Sequence, residues 1–172
     1  MTKTKIRTKE KVPMKYVPKM LSITDTKKQK KELKKSINMY KKGKYHTRKK
    51  VKSYSSKPSS HVTKAKKIYD IVSIKPSKLL AKKTGCSLKT LKDIVKKGKG
   101  AYYSSGSRPN QTASSWGIAR LASSITGGKS SIVDFSLLES GCDKRKKTYK
   151  LAKKTYKKKK NKLRKTKKVT LS

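Results

Sequence analysis

Apolar residues recur at helical spacing near the start of the chain. Leu33, Ile37 and Tyr40 lie at positions i, i+4 and i+7, separated by lysines and other polar residues. This pattern predicts an amphipathic helix over about residues 26–42, with Asp25 as its N-cap. The apolar stripe is narrow, so we expect this helix to dock on a core or on a partner.

A pair of shorter helices is predicted in the middle of the chain, on either side of Gly85. Ser77 is placed to cap the first helix and Gly85 to end it, because glycine readily adopts the positive φ found at helix C-termini. Ser87 is placed to cap the second helix and Gly98 to end it. The apolar residues of the two helices are Leu79, Leu80 and Ala81, then Leu88, Leu91, Ile94 and Val95.

This pair has the spacing of a helix-turn-helix. The small residue Ala81 lies four positions before Gly85, which lies six positions before Leu91. An ordinary helical hairpin is the alternative interpretation. The outward face of the second helix is expected to be basic, and lysine binds phosphate but discriminates poorly among bases. The candidate nucleic-acid contacts on that face are Lys89, Thr90, Lys92, Lys96 and Lys97.

A segment rich in glycine, serine and tyrosine follows Gly98 and is predicted to be a loop. It ends at Thr112, which is placed to cap a helix of small residues with Trp116 at the centre of the core. Such a loop offers groups that stack on bases or hydrogen-bond to phosphates, and the alternative is a tight structural turn. Its candidate nucleic-acid contacts are Lys99, Tyr102, Tyr103, Arg108, Asn110 and Gln111.

Two short segments alternate between apolar and polar residues. They lie at residues 68–74 and 132–135, and they predict a minor two-stranded β pairing. The fold class expected from all these patterns is mainly α. We expect a small helical core that contains the helix-turn-helix-like pair and is flanked by extended basic arms.

Charge changes this picture more than any other property. The 172 residues include 52 lysines and arginines against 8 acidic residues, a net charge of +44. Its distribution predicts a basic N-terminal arm over residues 1–61, a globular core over 62–142 and a polybasic tail over 143–172. A chain this basic is expected to bind a polyanion and release its counterions. The candidate contacts in the tail are Lys144, Arg145, Lys146 and Lys147.

Few residues are suited to catalysis or to metal binding. His46, His61, Cys86 and Cys142 do not have the spacing of a zinc site, and both cysteines are expected to be reduced. The acidic residues form no spaced pair, so we expect no enzymatic activity, no catalytic residue, no cofactor, no metal and no small-molecule substrate. No apolar run resembles a membrane span or a signal peptide, so an intracellular or packaged protein without membrane insertion is expected.

A longer and compositionally unusual stretch runs from Lys97 to Ser123 and includes Gly-Ala-Tyr-Tyr-Ser-Ser-Gly-Ser-Arg-Pro-Asn-Gln-Thr. It resembles the signature of an uncharacterised domain family of nucleocytoplasmic large DNA viruses of protists and algae. The resemblance extends to Tyr16–Ser22, Tyr40–Arg48, Thr84–Ser87 and Gly141-Cys142. It implies a viral protein, packaged with the genome or built into the capsid, and implies no activity.

Three functions fit these observations. The leading hypothesis is a virion protein that neutralises genomic DNA without sequence specificity, and RNA remains an open alternative as the nucleic acid. The second is a minor capsid protein that bridges larger capsid subunits. The third is a sequence-specific helix-turn-helix regulator. We expect the protein in the virion and, during infection, in the host nucleus or a cytoplasmic virus factory.

Overall fold

The computed structural model describes residues 10–159 and 166–171. It is mainly helical with one small antiparallel sheet, which confirms the predicted fold class. Residues 1–9 of the predicted N-terminal arm, and residues 160–165 and 172 of the predicted tail, lie outside this range. The elements are β1 (Lys11–Pro13), a 3₁₀ helix (Met14–Tyr16), α1 (Ile23–Lys41), α2 (Ser60–Tyr69), α3 (Lys78–Thr84), α4 (Leu88–Ser104), α5 (Ala113–Ile125), α6 (Ser130–Val133), α7 (Phe135–Gly141), α8 (Lys147–Lys159) and β2 (Lys168–Thr170).

The chain groups into two compact units. Of the described residues, the first contains 10–56, 103–110 and 166–171, and the second contains 57–102 and 111–159. These units are defined by contacts between residues, whereas the predicted arm, core and tail are defined by charge. The predicted division therefore stays a prediction.

In the first unit, β1 pairs with β2, with Val12 opposite Val169. The strands predicted at 68–74 and 132–135 are wrong. The first range contains the end of α2 and the turn after it, and the second runs from α6 into α7. A short apolar run does not by itself distinguish a strand from a turn of buried helix.

Helix α1 supplies much of the core of the first unit. Its inward residues Leu33 and Ile37 are buried, as the spacing predicted. The predicted N-cap is wrong by one turn. The cap is Ser22, whose Oγ accepts a hydrogen bond from the Asp25 N–H at 3.2 Å. Both residue types are good caps, so the sequence alone does not select between them.

The second unit has a continuous apolar core. Trp116 is only partly buried and is not in this core, so its predicted central position is wrong. Part of the predicted tail forms α8, whose Tyr149 and Ala152 are buried in the cluster. The core residues are Ala65, Tyr69, Ile74, Leu80, Cys86, Leu91, Ile94, Val95, Leu121, Ala122, Ile125, Phe135, Leu138, Cys142, Tyr149 and Ala152.

Gly98 lies inside α4 and does not end it, in contrast to the prediction. A Cβ at Gly98 would lie 2.6 Å from the Cα of Gly117 in α5. Two helices therefore approach closely through a pair of glycines, and the residue serves packing instead of termination. Within the described residues no helix has the length and apolar character needed to cross a membrane.

Candidate nucleic-acid interface

The two predicted helices of the helix-turn-helix-like pair are α3 and α4, and their caps are as predicted. Ser77 Oγ accepts a hydrogen bond from the Leu80 N–H at 3.1 Å, and Ser87 Oγ accepts one from the Thr90 N–H at 3.1 Å. Gly85 ends α3 with φ +70°. A tight, glycine-containing turn therefore connects the two helices.

A disulfide between Cys86 and Cys142 holds this turn, so the prediction of reduced cysteines is wrong. The backbone supports the same contact, since the Ser87 N–H donates to the Gly141 carbonyl and the Asp143 N–H donates to the Gly85 carbonyl, both at 2.8 Å. The two cysteines are 56 positions apart, and spacing alone does not reveal such proximity. The turn before α4 is thus joined to the end of α7.

The prediction that Thr90 lies on the outward face of α4 is wrong. Its side chain is buried, and its hydroxyl accepts a hydrogen bond from Ser87 Oγ at 2.9 Å. A Cβ at Gly141 would lie 1.8 Å from Thr90 Oγ1, so α7 covers this position. Thr90 therefore stabilises the start of α4 and is not available to a ligand.

Four exposed lysines form a stripe along α4: Lys89, Lys92, Lys96 and Lys99. Their spacing of three, four and three residues places them on one helix face, over about 15 Å of helix length at 1.5 Å per residue. Lys89 Nζ lies 3.2 Å from Asp93 Oδ2, the one acidic side chain of α4. We call these four residues the α4 lysine stripe.

Lys97, another predicted contact, lies beside a buried carboxylate. Asp134 is fully buried and accepts two hydrogen bonds from Arg120, at 2.9 and 2.7 Å, and one from Ser124 Oγ at 2.7 Å. Lys97 Nζ is 3.4 Å from the same carboxylate. This ion pair is structural, and the sequence did not reveal it because Arg120 lies on α5 and Asp134 lies between α6 and α7, 14 positions later.

The predicted glycine, serine and tyrosine loop begins later than expected, because α4 continues to Ser104. Tyr102 is therefore a helical residue and is fully buried, whereas Tyr103 is half-buried. Arg108 is exposed, and Gln111 Oε1 accepts a hydrogen bond from Ser115 Oγ at 2.9 Å.

Asn110 has a structural role that the sequence did not show. It adopts φ +57°, and its Oδ1 accepts from the Val51 N–H at 2.8 Å. Its Nδ2 donates to the carbonyls of Val51 at 3.0 Å and Tyr54 at 2.7 Å. For this residue the geometry agrees with the alternative of a tight structural turn. Thr112 caps α5 as predicted, through a capping box with Ser115.

The predicted contacts of residues 144–147 surround the start of α8. Lys144, Arg145, Lys146 and Lys147 are all exposed. Hydrogen bonds from Arg145 hold the pKa of Asp143 below its ordinary value. Lys146 lies over Gly85, where an added Cβ would be 2.4 Å from its Cγ.

All eight acidic side chains lie in the described part of the chain, and each has a polar partner within the protein. The Ser53 N–H and hydroxyl donate to Asp25, and these hydrogen bonds hold its pKa below the ordinary value. The pairs are Glu10 with Lys41, Asp25 with Ser53, Glu32 with His46, Asp70 with Lys83, Asp93 with Lys89, Asp134 with Arg120, Glu139 with Tyr149 and Asp143 with Arg145. The carboxylates therefore interact with groups of the protein itself, and eight of them cannot neutralise 52 lysines and arginines.

Among residues 10–159 and 166–171, no three histidine, cysteine or acidic side chains come together as a metal site would require. No curated protein and no solved structure matches the chain. A family of unknown function, DUF5824, matches residues 13–137, which include α1 to α6 and the α4 lysine stripe. The chain therefore belongs to the family of unknown function DUF5824.

Proposed function

We propose that this protein is a non-enzymatic viral structural protein that binds and neutralises genomic DNA in the virion, largely without sequence specificity. The observation that carries the proposal is the internal pairing of all eight carboxylates in a chain of net charge +44. The uncompensated lysines at the surface attract a polyanion, and contact with phosphates releases the counterions condensed on DNA.

The α4 lysine stripe favours this function over a sequence-specific regulator. Its exposed side chains are lysines, and the arginine, asparagine and glutamine side chains that read base edges are absent from that face. The helix-turn-helix-like pair therefore offers phosphate contacts without base readout.

The salt dependence of binding to duplex DNA tests the proposal. The logarithm of the binding constant is expected to fall steeply with the logarithm of salt concentration, by about 0.9 per phosphate neutralised, and equally for unrelated duplexes. Replacing the α4 lysine stripe by glutamine should lower affinity and reduce the slope. A matched variant replaces four exposed lysines elsewhere in the same unit, Lys57, Lys64, Lys66 and Lys67.

The outcomes separate the candidate functions. Weak binding with a shallow salt slope would contradict DNA neutralisation. Strong discrimination among duplexes at high salt would favour a regulator. Equal losses in the two variants would show that the charge acts as a whole and that α4 is not a preferred contact.

A minor capsid protein is the second candidate, and two exposed apolar side chains favour it. Met20 is 73% exposed and Ile23 is 79% exposed, both in the first unit. Exposed apolar residues are typical of contacts with another protein. Tight binding to a capsid subunit that is lost in the double variant Met20→Ser and Ile23→Ser would support this role.

A further inference from the structure

Three tyrosine rings lie next to one another in the first unit. The ring centroids of Tyr45 and Tyr103 are 4.9 Å apart, and those of Tyr40 and Tyr45 are 6.1 Å apart. The rings are tilted by 56° and 54°. Tyr45 is 70% exposed and Tyr40 is 37% exposed, so one side of this tyrosine cluster faces solvent.

Polar contacts with α1 hold the segment that carries Tyr45. Glu32 Oε2 lies 2.9 Å from His46 Nε2 and accepts a hydrogen bond from the Lys49 N–H at 2.9 Å. The Ser36 hydroxyl lies 3.3 Å from the His46 carbonyl. The backbone next to Tyr45 is thereby fixed on the helix that also carries Tyr40.

A buried arginine fixes Tyr103 beside the same segment. Arg48 donates to Ser36 Oγ at 3.0 Å and to Ser107 Oγ at 2.6 Å. Ser36 Oγ also lies 3.4 Å from the Tyr103 carbonyl. The tyrosine cluster is therefore held in place by residues from α1 and from two separate chain segments.

Packing does not account for the position of the Tyr45 ring. An aromatic ring stabilises a fold mainly through the area that it buries, and most of this side chain remains in contact with water. Three exposed lysines, Lys41, Lys42 and Lys44, lie between Tyr40 and Tyr45 in the chain. No acidic residue occurs from position 33 to position 69. Lys41 is paired with Glu10, so exposed aromatic rings occur here together with the positive charge of Lys42 and Lys44.

We propose that the tyrosine cluster is a stacking site for unpaired bases of single-stranded nucleic acid, with Lys42 and Lys44 contacting the phosphates. This combination of aromatic rings and cationic side chains is the means by which single strands are bound without sequence preference. In a duplex the base faces already stack on one another, so the cluster adds affinity for single strands only. The inference rests on the proposed function, because it requires binding to nucleic acid.

The test uses the full chain and three ligands matched in number of phosphates: an oligothymidine, a duplex with half as many base pairs as the oligothymidine has nucleotides, and inorganic polyphosphate, which has no bases. Tyr45→Ala is expected to weaken oligothymidine binding about tenfold, within the range measured for loss of a base–aromatic stack. Tyr45→Phe should retain the affinity to within about twofold, because the ring remains. Binding of the duplex and of polyphosphate should be unchanged in both variants.

Met20→Ala is the matched control, because it removes a similarly exposed apolar side chain from the same unit. A Tyr45→Trp variant in a Trp116→Phe background adds a direct readout, since stacking on thymine should quench the fluorescence of its one tryptophan. Measuring the affinity for oligouridine in the same way shows whether the protein prefers single-stranded RNA or single-stranded DNA. Polyphosphate should cause no such quenching.

Two results would overturn the stacking site. One is an unchanged affinity of Tyr45→Ala for oligothymidine. The other is an equal loss for all three ligands, which would indicate a general effect on charge or folding. Failure of the proposed function has a different signature, because the wild-type protein would then bind none of the three ligands tightly.

Discussion

The two compact units differ in the balance between buried apolar and buried polar side chains. The second unit has a continuous apolar core and the Cys86–Cys142 disulfide. In the first unit, polar side chains make many of the buried long-range contacts between α1, residues 46–53 and residues 103–110. The buried polar residues of the first unit are Asp25, Gln29, Glu32, Ser36, Arg48 and Ser107.

This difference shows how a chain with so few apolar residues builds two compact regions. Apolar burial is non-directional and tolerates substitutions that conserve volume. A buried polar network is directional, and losing one member leaves its partners unsatisfied. The second unit should therefore be sensitive to cavities and to reduction, and the first unit to the loss of single polar groups and to pH.

Removing a core side chain from the second unit is expected to have the largest effect. Leu91→Ala leaves a cavity beneath α4, because Leu91 is fully buried in the apolar cluster. We expect a loss of about 2–5 kcal/mol in the free energy of unfolding. Urea denaturation measures the loss, and hydrogen exchange locates it in the second unit.

The matched control is Leu79→Ala, because Leu79 lies on the neighbouring helix α3 and is 57% exposed. This control should change stability by less than about 0.5 kcal/mol. Similar losses in the two variants would contradict the assignment of a well-packed core to the second unit.

Reduction of the disulfide is the next largest expected effect. Opening a link between residues 56 positions apart restores conformational freedom to the unfolded chain, and we expect a loss of about 2–4 kcal/mol. Denaturation with and without a reductant measures it. The double variant Cys86→Ala and Cys142→Ala should have the same reduced stability with and without the reductant, because it has no disulfide to open. A wild-type protein that responds to reductant no more than this variant does would contradict the disulfide.

A single polar substitution tests the first unit. Asn110→Ala removes three hydrogen bonds to Val51 and Tyr54 and places alanine at φ +57°. We expect a loss of about 1–3 kcal/mol, measured by denaturation and by faster exchange of the Val51 amide. Asn110→Gly separates the two causes, because glycine tolerates the backbone conformation. A glycine variant as stable as the wild type would show that the hydrogen bonds contribute nothing.

The local features of the fold could be predicted from the sequence. Caps and stops at Ser77, Gly85 and Thr112 act within one turn of the chain, so their residue types suffice to place helix boundaries. The apolar spacing of Leu33 and Ile37 also identified the inward face of α1. These predictions depend only on neighbours in the sequence.

The remaining features depend on contacts between distant residues. Gly98 has the residue type of a helix stop, but its function is set by Gly117 on another helix. Thr90 has the spacing of an outward residue, but Gly141 of α7 covers it. In the candidate site, the sequence identified Tyr103 but not Tyr45, because the contact between their rings joins positions 58 apart in the numbering. One sequence without a structure contains no signal for such pairs.

Acidification should weaken the first unit in part through Glu32, and this is the smallest of the expected effects. Burial acts to raise the pKa of Glu32, but hydrogen bonds from the Lys49 N–H and from His46 outweigh it, so the pKa lies below its ordinary value. The carboxylate therefore contributes stability that is fully present above the unfolded pKa of about 4.3. That contribution is lost as the pH falls through the lower folded pKa. Amide NMR of residues 46–49 during an acid titration measures the transition.

Glu32→Gln should remove this part of the pH dependence, so that the stability of residues 46–49 changes less between neutral and acid pH than in the wild type. Glu139→Gln is the matched control in the second unit, and it should leave the titration of residues 46–49 unchanged. An acid titration that is the same in Glu32→Gln and the wild type would show that Glu32 does not couple pH to the segment carrying Tyr45. The polar network of the first unit would then stabilise that segment through hydrogen bonds that do not change with acid, from the Arg48 guanidinium to Ser36 and Ser107.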